Sequence, residues 1–171
     1  MKLTADILGY LVTVLCIVSV QMKKKWQMLI ISSVANFVSA LSFIFLAGSI
    51  TSAVSVCFVA VLQTAITSYH SYHGKETSKT EKIIFLIMYL LCGIINFKTP
   101  LDIMPMICSI IFMTGIFQKD EQKIRIFGVA NSSLWIVYDV IVKSTAVYSH
   151  IFTITSLLIA LYRYRKKGEV K

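Results

Sequence analysis

The sequence predicts an all-α, polytopic membrane protein whose seven transmembrane helices form two parallel triple-helix bundles joined by a linker helix. Three observations predict it. Of 171 residues, 57% are hydrophobic and 15% charged, and the mean hydropathy is +0.77, well outside the usual range of soluble domains. Asp, Glu, Lys and Arg are absent from residues 7–22, 26–69, 83–97, 103–118, 126–138 and 144–162. A span needs about 17 to 25 mostly apolar residues to cross a hydrocarbon core of about 30 Å. Finally, residues 34–49 (VANFVSALSFIFLAGS) align without gaps on residues 129–144 (VANSSLWIVYDVIVKS), 95 positions later.

The first helix, 5–22, opens with Asp6 and Gly9 and stops at Lys23-Lys24-Lys25. Trp26 suits the headgroup boundary, where amphipathic rings settle. At about 1.5 Å per residue the run 26–69 would be roughly twice as long as the bilayer is thick, so it folds back on itself. Ala47-Gly48-Ser49 is the predicted turn, giving helices 26–47 and 50–70. Both contain Ser, Thr, Asn and Gln, which let membrane helices approach closely and hydrogen-bond across the contact.

Residues 68–82 (SYHSYHGKETSKTEK) form the one substantial polar loop. The fourth helix, 83–97, is short, and an interfacial segment is its alternative reading. The fifth, 101–118, begins after Pro100, where proline does little harm. Helices 124–142 and 145–164 complete the second copy. Asp6 and Asp102 open corresponding helices, and basic loops follow both. The chain therefore reads as a single membrane domain, 1–171: a first triple-helix repeat at 5–70, a linker helix at 83–97 and a second repeat at 101–164. An odd spacer leaves the two repeats in the same orientation.

The formal net charge is +9, and its distribution argues for membrane orientation rather than nucleic-acid binding. Lys23, Lys24, Lys25, Lys75, Lys79, Lys82, Lys119, Lys123, Arg125, Arg163, Arg165, Lys166, Lys167 and Lys171 fall on one side of the predicted membrane, against only Lys2, Lys98 and Lys143 on the other. Positive-inside then places the N-terminus outside and the C-terminus in the cytoplasm. Lys2 and the apolar stretch after it imitate a secretory signal, but Asp6 and the triple lysine do not suit cleavage.

Cys16, Cys57, Cys92 and Cys108 lie in hydrophobic spans as small apolar residues, without metal or redox spacing. His70 and His73 lack a third ligand nearby and read as solvated loop residues. HExxH and GxSxG are absent, and Gly74-Lys75 lacks the rest of a phosphate-binding loop. The expectation is a protein that is not an enzyme and has no cofactor or metal. Its partners would be the lipid bilayer and a small polar solute, with no nucleic acid and no oligomer demanded.

The polar residues inside the spans are the candidate site. Asn131, Trp135 and Tyr138 recur at helical spacing along one face, supplying amide, indole and phenol donors. The plainer reading is that Asn131 bonds to a neighbouring helix and Trp135 fills the core. Asp139 is an acidic residue inside a span, a costly placement that suits a proton or cation. Near the outer end of its helix it reads instead as solvated, or paired with Lys143 at i+4. His150 is a helix-contact residue or a proton-linked one. Asn36 is the copy of Asn131, whereas Trp135, Tyr138 and Asp139 face Ala40, Phe43 and Ile44. The shared asparagine is therefore assigned to the fold or the central axis, and the unshared trio would make any pocket asymmetric.

Arg125, the run Ser133-Leu134-Trp135-Ile136-Val137-Tyr138-Asp139, Ser144, Ser156 and Arg163 resemble the bacterial inner-membrane YgjV family over nearly the whole chain. That family looks related to the SWEET and PQ-loop (MtN3-like) carriers, which implies two rocking bundles about a central cavity. SWEET carriers place a Pro-Asn pair in the third helix of each bundle; the comparable regions here carry Ser55 and His150. Hinge prolines are missing from the first, second and sixth helices, and Lys143 stands where the family has glycine. A weaker similarity links Lys25-Trp26 and Asn36 to the PnuC-type vitamin-precursor carriers. The resulting expectation is a small-solute facilitator or carrier using Asn36, Asn131, Trp135, Tyr138, Asp139, Ser55 and His150; the alternative is a non-transporting membrane scaffold or regulator.

Overall fold

The computed structural model describes residues 2–47, 52–142 and 146–168. Within them the chain is all-helical: α1 (Lys2–Gln21), α2 (Lys25–Ala47), α3 (Ser52–Tyr72), α4 (Lys79–Ile95), a 3₁₀ turn (Pro100–Asp102), α5 (Ile103–Ile116), α6 (Glu121–Ile141) and α7 (Ala146–Gly168). The expected turn at Gly48-Ser49, and Lys143 and Ser144, lie outside the described residues. Leu3–Gln21, Lys25–Phe45, Ser52–Tyr72, Glu121–Ile141 and Ala146–Tyr164 are long and apolar enough to cross a membrane. The other two helices are shorter, with 17 residues in α4 and 14 in α5.

The surface is apolar and the interior partly polar, the reverse of a soluble domain. Ile7, Val14, Ile84, Leu91, Ile126 and Leu158 are exposed, while Gln63, Thr64, Arg125, Ser132 and Asp139 are buried. Lipid accepts such a surface only where the backbone is satisfied internally, as helices achieve.

α1 packs on α2, α2 on α3, α3 on α5, α5 on α6, α6 on α7 and α7 back on α1. The principal contacts thus close a ring of six helices, with α4 outside it against α3 and α5. Mapping α1, α2 and α3 onto α5, α6 and α7 returns the same set of ring contacts, including the two that close it.

α4 runs antiparallel to α3. His70 Nε2 meets Glu81 Oε1 at 2.8 Å, Tyr89 Oη donates to Gln63 Oε1 at 2.7 Å, and Asn96 Nδ2 donates to Ser55 Oγ at 3.2 Å. These contacts span residues 55 to 70 of α3, about 22 Å at helical rise, so α4 lies along the ring rather than across its end. It also begins four residues before the uncharged run, because Ser78 and Glu81 form a capping box. At the other end of the preceding loop, Gly74 (φ 66°) lets Lys75 N donate to His70 O at 2.8 Å. Gly74-Lys75 is therefore the C-terminal stop of α3.

The basic loops meet at one end of the ring. Glu76 pairs with Lys119 at 2.6 Å. The Lys119 ammonium holds this exposed carboxyl below the usual range. There too, α2 sends a cation to the end of α5 and α6 sends one to the end of α1. Lys25 Nζ of α2 donates to Gln118 O at 2.6 Å, beyond α5, and Arg125 of α6 donates to Val20 O at 3.1 Å and Met22 O at 2.8 Å, at the end of α1. Neither α1 nor α5 has a basic residue in its own last turn. The carbonyl end of a helix attracts positive charge, so this exchange joins the halves where it neutralises both dipoles.

Candidate functional site

The six ring helices enclose a cavity of about 530 Å³ that runs from Asp6 at one end to Arg125 at the other, and no described α4 residue lines it. Its size falls within the range of small-molecule sites, about 300 to 1,000 Å³. A second hollow, of about 580 Å³, lies on the outside between α4 and α5, beside Lys82, Lys119 and Lys123. Lys119 is engaged with Glu76, and Lys82 stands 5.5 Å from the Phe117 ring centre. The ring cavity has the better-built polar wall.

Much of that wall satisfies itself. Ser19 Oγ donates to Met28 O at 2.8 Å and meets Ser32 Oγ at 2.8 Å. Ser42 Oγ donates to Ala5 O at 3.0 Å, Ser109 Oγ to Pro105 O at 2.6 Å, and Thr13 meets Ser149. These hydroxyls join helices or bond back along them, and they offer little to a solute.

Asn36 and Asn131 differ. Both line the cavity, from corresponding positions of α2 and α6. Asn36 Nδ2 and Asn131 Oδ1 are buried with no hydrogen-bond partner among the described residues. A buried, unmade amide hydrogen bond costs about 1 to 3 kcal/mol, so the fold holds a donor and an acceptor in reserve on opposite halves of the ring. As placed, the pair has one donor and one acceptor to share with a ligand.

Of the other expected residues, Trp135 and His150 line the cavity. Their rings stack at 6° with centroids 6.0 Å apart, and Trp135 also meets Tyr138 edge-on at 5.4 Å. Tyr138 is not on the cavity wall but stands behind Trp135. Asp139 is 1% exposed, with Oδ2 at 3.5 Å from His150 Nε2. The reading of Asp139 as a solvated helix end is therefore corrected, because α7 covers it. Its suggested pairing with Lys143 lies outside the described residues.

Ser55 is not on the wall either; it accepts from Asn96 and belongs to the contact between α3 and α4. His70 is not a loop residue but lies in the last turn of α3, whereas His73 is an exposed turn residue just beyond it. His70 joins the end of α3 to Glu81, and His73 Nδ1 meets Tyr69 O at 2.9 Å.

The sequence reading missed Arg125 as part of the site, counting it among the loop charges. It is 2% exposed and lines the basic end of the cavity. Its guanidinium stands 4.5 Å from the Tyr164 ring centre, while Tyr164 Oη donates to Gln21 O at 2.8 Å. Gln21 Nε2 in turn donates to Ser156 O and Ser156 Oγ, each at 2.9 Å. The carbonyls of Val20, Gln21 and Met22 are thus all taken up by α6 and α7. Two signals were available: Arg125 falls inside the predicted helix 124–142, and it is among the residues that carry the family resemblance.

A family model described as Imp-YgjV, bacterial inner membrane protein, matches residues 3–168. No curated protein and no solved structure matches the chain.

Proposed function

Since the chain belongs to the Imp-YgjV family of bacterial inner membrane proteins, we propose that it is a small-solute facilitator or carrier of the SWEET-like plan. Two parallel triple-helix bundles, α1 to α3 and α5 to α7, would rock about the ring cavity, with α4 as the linker. The basic end would face the cytoplasm, leaving the N-terminus outside. No catalysis and no cofactor enter this reading; the bilayer and a polar solute are the partners. The observation that carries it is the pair of corresponding asparagines on the cavity wall, each with a buried amide atom that has no hydrogen-bond partner among the described residues.

A bifunctional polar solute would satisfy both amides at once. Trp135 would supply an apolar face against it, since it stands on the same wall. Arg125 spends its Nε and Nη2 donors on carbonyls, which argues against a site organised around an anion.

A thermal-shift screen of the purified protein against a broad metabolite set tests this reading, followed by uptake compared between cells with and without the protein. At least one small polar metabolite should raise the melting temperature. Asn36→Ala and Asn131→Ala should each weaken that ligand at least tenfold, about 1.4 kcal/mol. Without ligand, both variants should melt at or above the wild-type temperature, because each removes an unsatisfied buried group. Variants that unfold early, together with a screen without hits, would favour the scaffold, in which the asparagines only pack helices.

A further inference from the structure

We infer that the hollow between α4 and α5 is a binding site for an anionic phospholipid from the leaflet at the basic end of the ring. Lys82, Lys119 and Lys123 hold its phosphate, and Ile83, Leu86 and Phe117 receive the start of its acyl chains. The hollow, of about 580 Å³, straddles the edge of the apolar belt. Lys82 is the last charge before the uncharged run 83–97, and Lys119 is the first after the run 103–118. α4 and α5 are antiparallel, with Lys82 beside the Phe117 ring at one end and Gly93 beside Met106 at the other. Both lysines therefore come to one level.

Lysine above and hydrocarbon below match the two parts of a phospholipid, and basic pockets between membrane helices take anionic headgroups. At the far end the two helices close up, since a Cβ at Gly93 would stand 2.9 Å from Met106 Sδ. α5 has 14 residues, about 21 Å at helical rise, against a hydrocarbon core of about 30 Å. So short a span draws the bilayer thinner, which brings headgroups down to the hollow. The wall sets three lysines against one aspartate, Asp120, whose Oδ1 already accepts from Gln122 N at 2.8 Å as the cap of α6. Lys119 is paired with Glu76, but the two side chains are 78% and 66% exposed, and such a pair is weak enough for a phosphate to displace. A soluble phosphate compound would use the lysines and leave the floor of Ile83, Leu86 and Met113 uncovered.

Native mass spectrometry of the full chain, released from detergent micelles with added phosphatidylglycerol or zwitterionic phosphatidylcholine, tests the site. Phosphatidylglycerol should be retained at least about tenfold better, since each lysine near the headgroup adds about fivefold. Lys82→Gln, Lys119→Gln and Lys123→Gln combined should abolish that preference. Lys23→Gln, Lys75→Gln and Lys79→Gln combined make the same charge change away from the hollow and should keep it. Leu86→Trp, which fills the apolar floor, should also weaken retention, with melting as the check that it folds. Equal losses in the two triple variants would make the preference a property of the whole basic surface and overturn the inference. Retention unchanged by the first triple variant or by Leu86→Trp would place the lipid elsewhere and overturn it too. Glycerol 3-phosphate, the same headgroup chemistry without chains, should not compete at equal concentration; if it does, the hollow takes a soluble phosphate and the lipid assignment falls. Should the first triple variant not accumulate, Lys119→Gln and Lys123→Gln, at exposed positions, give the same reading one charge at a time. No described residue lines both hollow and ring cavity, so neither outcome bears on the carrier reading.

Discussion

α2 and α6 occupy corresponding places in the ring, each presents an asparagine to the cavity, and each sends a cation to the other half. They differ in how that cation is held. Lys25 is half-buried and its ammonium makes one bond among the described residues, to Gln118 O, whereas Arg125 is 2% exposed and bonds two carbonyls against the face of Tyr164. A lysine acts as a hydrated point charge, while the planar guanidinium fork fixes geometry and is easier to bury. α6 also carries Asp139, where α2 has Ile44. α6 thus carries two buried ionisable residues, Arg125 and Asp139, where α2 has a half-buried lysine and an isoleucine.

The largest test of that contrast is Arg125→Ala. Two hydrogen bonds from a charged donor disappear and the end of α1 loses its counter-charge, so stability should fall by about 3 kcal/mol in detergent melting. Arg125→Lys should recover only part of the loss, because an ammonium cannot reproduce the fork. A lysine variant that melts like wild type would erase the distinction between the two caps.

The seams within each half offer the next comparison. Between α5 and α6 the helices meet at Gly115, where a Cβ would stand 2.6 Å from Phe127 Cβ. At the corresponding place between α1 and α2, Ser19 bonds Met28 O and Ser32. One seam closes by omitting a side chain, the other by a hydroxyl. Gly115→Ala should cost about 2 kcal/mol by overpacking, and Ser19→Ala about 1 kcal/mol by losing its bonds. Equal melting of the two variants would show that α5 gives way at Gly115 without strain.

Hydrophobic runs located every helix, since a long uncharged stretch in so apolar a chain is at home only in a bilayer or a buried core. The start of α4 is equally legible in Ser78-Lys79-Thr80-Glu81, although its charges suggest a loop. What the sequence hid is long-range. Arg125 looks like an orienting charge until α1 brings its carbonyls from 103 and 105 residues away. Asp139 looks like a helix-end carboxylate until α7 covers it. Ser55 enters the expected pocket by analogy with a different pattern, and α4 takes it up instead. The shared asparagines, assigned to the fold or the central axis and expected in the pocket, stand on the cavity wall, while of the unshared trio only Trp135 does so.

The smallest expected effect falls on the exposed side of the comparison. Lys25→Ala removes one charge from the end of α5 and should cost about 0.5 kcal/mol, since a partly hydrated cation at a helix terminus contributes little. Added salt should shrink the difference further, because such a charge is screened, whereas the loss in Arg125→Ala should persist. Melting curves at low and high salt separate the two. If Lys25→Ala costs as much as Arg125→Ala and resists salt equally, burial is not what distinguishes the caps. The two halves would then be closer to symmetric at this end than α2 and α6 suggest.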